Sequence, residues 1–95
     1  MIVRISGSGQ YELDDSGAHR LHELDTVLTE ALHARREEDF HRYLHEIITF
    51  VQSGGKELSH ETIVPSDVIV PPDDITLDEA ARFFTDEGLM HPTPA

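Results

Sequence analysis

The sequence has no cysteine, a single lysine and no apolar run of membrane-spanning length, and each lack narrows what the chain can be. Without cysteine there is no disulfide framework, no thiolate zinc site and no cysteine nucleophile, so stability has to come from packing. The most apolar stretch, Tyr43 to Val51, is broken by His45, Glu46 and Thr49 and is far too short to cross a bilayer. Met1 to Gln10 carries Arg4 and two glycines and lacks the long apolar run of a signal peptide. The expected location is therefore cytoplasmic.

Positive charge is scarce. Seven Lys+Arg stand against 19 Asp+Glu, a formal net charge of −12, and Lys56 is the one lysine. Such a field repels phosphate backbones and anionic headgroups, which argues against nucleic acid and against direct membrane insertion. An acidic, lysine-poor composition fits either a high-salt cytoplasm or a GC-rich genome.

Ninety-five residues suit one domain with a real core and little stability to spare. Residues 1–90 read as that domain and 91–95 as a frayed, proline-containing tail. Met1 to Ser6 is rich in β-branched residues, and Gln10 to Leu13 alternates around Tyr11 and Leu13. Gly7-Ser8-Gly9 between them supplies a tight connection, predicting a β-hairpin.

From about Ser16 the period changes. Ala18, Leu21, Leu24, Leu28 and Ala31 recur at three- and four-residue steps, with Val27 and Leu32 beside them, as on one face of a helix. The charged stretch Arg35 to Asp39 precedes a second helical stripe of Phe40, Tyr43, Leu44, Ile47, Ile48 and Val51, closed by Gly54-Gly55. The short connection makes the pair an antiparallel αα-hairpin.

Ile63-Val64 and Val68-Ile69-Val70 are bracketed by Pro65 and Pro71-Pro72, which confines them to edge strands or extended segments on the hairpin sheet. Thr76 and Glu79 have capping-box spacing, opening a third helix with Leu77, Ala80, Ala81 and Phe84 as its buried face and Gly88 as its stop. The fold class is α+β, an N-terminal β-hairpin with a short additional strand packed with an αα-hairpin and a short C-terminal helix.

Motifs that carry chemistry are weak. His41 and His45 lie one helical turn apart, and His19 and His22 three residues apart, but zinc needs three or four convergent ligands and the sequence offers pairs. Gly7-Ser8-Gly9 lacks the third glycine, the lysine and the following helix of a phosphate loop. Ser66, Asp67 and His60 have no nucleophile-elbow spacing, and a serine beside an aspartate in a proline-flanked stretch is more often turn chemistry. Asp14-Asp15 and Asp73-Asp74 read as helix-start and turn residues. No metal, cofactor or catalytic residue is assigned, and the chain reads as a non-enzyme. The rival reading is a small-molecule or metal-binding sensor that uses surface histidines.

The opening MIVRISGSGQYEL, the central helix pair, the segment IVPSDVIVPP and the closing TLDEAARFFTDEGL together resemble the phage-shock-protein-A-associated family, PspAA, from Met1 to about Met90. GSGQY and VPSDVIVPP are the most specific parts. The resemblance implies a non-enzymatic accessory protein encoded beside PspA, the coiled-coil membrane-remodelling protein of the envelope-stress response. It implies PspA, or a membrane protein of the same system, as partner, and a membrane-peripheral location through that partner. The family brings no catalytic or metal residues to these positions.

The expected contact area is the edge formed by the Gln10-Tyr11 strand with Pro65, Ser66, Asp67 and Val68, where an aromatic beside an exposed strand can anchor a partner. A helix face left open by so small a sheet is the competing area, to be covered by a partner or by homodimerisation.

Overall fold

Glycine at the turn and β-branched residues on either side shape the first element. The computed structural model describes residues 1–59, 61 and 64–83. Strand β1 (Ile2–Ile5) turns back into β2 (Gly9–Glu12) through Gly7, whose φ of 82° is a conformation glycine adopts without a Cβ penalty. Val3 faces Tyr11 in the antiparallel register and Ile5 faces Gly9. Side chains alternate along a strand, so Val3, Ile5 and Tyr11 share the face that is buried.

Asp14 caps helix α1 (Asp15–His33), its Oδ1 accepting from the Gly17 amide at 2.8 Å. Leu21, Leu24, Leu28, Ala31 and Leu32 are buried along its inner side, with Ala18 and Val27 half-buried. The link to α2 (Glu37–Gly54) is a Schellman closure, with the Arg36 amide bonded to Ala31 O and the Arg35 amide to Leu32 O. Its left-handed position, normally a glycine, is Arg35 at φ 59°. The guanidinium from that position reaches Asp78 at 2.9 Å. The acidic run Glu37–Asp39, expected to separate the helices, instead forms the first turn of α2, where carboxylates suit the N-terminal dipole.

Phe40, Leu44, Ile47 and Val51 bury the core side of α2. Gly55 follows in extended conformation, φ −94°, and not in the left-handed form common after a helix. Its role is space, because a Cβ there would lie 2.7 Å from Val51 O and 3.1 Å from Tyr11 Cβ.

The sheet has the order β3-β2-β1-β4, with β3 (Lys56–Glu57) antiparallel to β2 and β4 (Val68–Val70) parallel to β1. β3 and β4 lie on opposite edges, and residues 64–66 of the segment between them are placed on the face away from the helices. There the Gln10 amide meets Val64 and Ser66. Asp67 then clamps β1, its amide donating to Ile2 O and its carboxylate accepting from the Ile2 amide, both at 2.8 Å.

Helix α3 (Leu77–Phe83) starts with the expected reciprocal box, Thr76 N to Glu79 Oε1 and Glu79 N to Thr76 Oγ1, each 3.1 Å. Leu77 and Ala80 are buried, but Ala81 is exposed, which corrects its expected place on the inner face. Ile63, Phe84, Gly88 and the 91–95 tail lie outside the described residues. The architecture is an α+β fold with a mixed sheet, one face of which carries the helical hairpin.

Candidate protein-binding surfaces

The strand carrying Gln10 and Tyr11 is not an edge. β2 is flanked on both sides, by β1 and by β3, and the Leu58 amide donates to Gln10 O. Tyr11 is 6 % exposed, with its ring in the core and its hydroxyl sharing a 2.8 Å hydrogen bond with Ser8 Oγ. Val68 is likewise buried, on the helix side of β4. The structure does bring Gln10 to the 64–67 segment, but through partly buried bonds that hold Val64 and Ser66 against the sheet. Of the six residues expected at the contact area, Pro65 and Asp67 are exposed and Ser66 is half-buried. Ile69 adds an exposed apolar side chain, 36 % accessible, on the outer face of β4.

A second surface lies on the solvent side of the helical hairpin. Two adjoining hollows, about 420 and 450 Å³, share Arg20, Leu24 and Glu46 and so form one groove along the α1–α2 seam. Phe50 and Thr49 lie toward one end, Val27 and Tyr43 toward the other. Val27, Tyr43 and Phe50 are half-buried apolar residues flanking the core-facing stripes. Tyr43 and Phe50 stand seven residues apart, two helical turns, and therefore on one side of α2. That spacing was the available sequence signal, but Phe50 falls beside the main stripe and Tyr43 merges into it.

Charges on the rim are mixed locally and acidic in sum. Glu23 and Glu46 border the groove with Arg20. Arg42 lies over the Tyr43 ring at 5.0 Å and pairs with Asp39 at 3.3 Å. A hydrogen bond with Tyr43, and then the charge of Asp39, push the Arg42 pKa above its ordinary value. A guanidinium is cationic throughout the accessible range, and here Asp39 balances that charge beside the Tyr43 end of the groove.

The histidines are dispersed. Both ring nitrogens of His41 face carbonyl oxygens, Glu37 O at 3.0 Å and Ile75 O at 2.7 Å, and His45 Nδ1 lies 3.6 Å from Asp73. His19 sits 4.0 Å from Glu23. Among the described residues no three His, Asp or Glu side chains converge as a metal site would require. His60 lies outside those residues. Ser66 and Asp67, considered with it for hydrolysis, accept hydrogen bonds from Gln10 and Ile2. No described helix is long and apolar enough to cross a membrane.

Comparison with known proteins gives one family. The model for the family described as PspA-Associated protein matches residues 1–92. No curated protein and no solved structure matches the chain.

Proposed function

The chain belongs to the PspA-associated protein family, and on that premise we propose that it is a non-enzymatic accessory module that binds PspA and regulates it within the envelope-stress system. The family match along residues 1–92 carries this reading, since it covers both helices, the sheet and the proline-flanked segment. The chemistry of the surface favours a protein partner. A net charge of −12 opposes direct contact with anionic lipid, so the module works in the cytoplasm and meets the membrane through its partner. The groove along the α1–α2 seam and the outer side of β4 each offer apolar side chains at the surface.

Purified full-length chain titrated into its cognate PspA, with the complex followed by sedimentation velocity, is the direct test. A complex of defined stoichiometry at low or high salt supports the proposal. Absence of any complex at both salts overturns it.

A further inference from the structure

The α1–α2 seam has the form of an incomplete three-helix packing. Two antiparallel helices present a groove on the side away from the sheet, and a third helix laid along it would meet ridges from both at the usual interaxial distance of about 8–10 Å. We propose that this groove is a docking site for one amphipathic helix with an apolar stripe at i, i+3 or i+4 and i+7 and with Lys or Arg on its flanks. Resting on the function proposed above, the inference assigns that helix to PspA.

Three features of the groove select this occupant. Its floor runs from Phe50 through Leu24 to Val27 and Tyr43, spanning about two helical turns, which matches the stripe of a short helical segment. Val27, Tyr43 and Phe50 flank the fully buried set, so each keeps apolar surface that a docked helix would remove from water. The net charge of −12 selects a basic partner, and on the rim Glu46 adds to Glu23, whose own charge Arg20 shares at 4.0 Å. That same charge disfavours an anionic bilayer as the occupant.

Two variants test the site with full-length chain and cognate PspA by isothermal titration. Glu23→Lys/Glu46→Lys reverses two exposed charges and leaves the core untouched. Phe50→Ser removes an apolar anchor, its folding checked by circular dichroism. Each is expected to weaken binding ten-fold or more, and the charge variant to flatten the salt dependence, while Ile69→Asp on β4 leaves affinity within two-fold. Wild-type affinity in the charge variant overturns the groove while leaving PspA binding in place. Loss of binding in Ile69→Asp alone moves the contact to the sheet edge and also overturns it. No binding by the wild-type chain removes both this assignment and the function it rests on. Cosedimentation of the wild-type chain with phosphatidylglycerol vesicles that Phe50→Ser abolishes, with PspA affinity unchanged, would make the groove a lipid site instead and reject the helix.

Discussion

Gln10 Nε2 and Ser66 Oγ, 56 positions apart in the chain, meet at 2.9 Å on the face of the sheet away from the helices. The same amide donates to Val64 O at 2.9 Å, so one buried side chain fixes the strand-to-strand crossing at two points. Gln10→Leu keeps the volume and removes both donors. It is expected to cost roughly 1–3 kcal/mol in urea unfolding and to speed amide exchange at Asp67 and Ile2. Unchanged exchange at those amides would show that the crossing is held by other contacts.

Two glycines are required for different reasons, and substitution separates them. Gly7 has open space around it and a positive φ, so Gly7→Ala should cost about 1–2 kcal/mol and Gly7→Asn much less, because asparagine tolerates the left-handed region. Gly55 has an ordinary φ and no room, so Gly55→Ala and Gly55→Asn should both cost about 1–3 kcal/mol. Equal tolerance of asparagine at the two sites in thermal unfolding would contradict this division.

Tyr11 has its energetic role inside the chain. Tyr11→Ala should lose about 3–5 kcal/mol of stability, as large-to-small changes of buried aromatics do. Tyr11→Phe should lose only about 1 kcal/mol, for the bond to Ser8. A fully stable Tyr11→Ala in chemical denaturation would place the ring outside the core.

Leu24 and Ile47 lie on the facing sides of the two long helices, 5 % and 0 % exposed. Leu24→Asp or Ile47→Asp should abolish the cooperative thermal transition, because an unpaired buried carboxylate costs several kcal/mol, about the whole stability of a small domain. A sharp transition near the wild-type midpoint in both would mean that these faces are not the core.

Zinc and nickel should bind weakly at neutral pH, because among the described residues no three His, Asp or Glu side chains converge and both ring nitrogens of His41 face carbonyl oxygens. Calorimetry on tag-free chain is the measurement. Submicromolar affinity that disappears in His41→Ala/His45→Ala would revive the sensor reading.

Much of the architecture was legible because its signals are periodic or local. The Leu21-Leu24-Leu28 and Phe40-Leu44-Ile47 stripes, the Gly7 turn and the Thr76–Glu79 box each declare themselves within a few residues. β3 did not, since Lys56–Glu57 is too short to show alternation and neither residue is apolar. The parallel pairing of β4 with β1 also has no local mark, because it is decided by where the chain crosses the sheet. Tyr11, expected beside an exposed strand edge, is in the core for the same reason: burial of a strand residue depends on neighbours that the strand itself does not name. Gly55 in a space-limited position shows the same limit, as the deciding atoms belong to Val51 and Tyr11.

The Asp67 clamp on Ile2 ties two residues 65 positions apart. In the order in which a ribosome releases the chain, β1, β2 and both long helices emerge before the segment that closes the sheet. Until residues 67–70 arrive, β1 has hydrogen-bonding groups on one side without their final partner. β1 thus passes through synthesis half-paired, and its pairing is completed by a contact that closes 65 positions of chain.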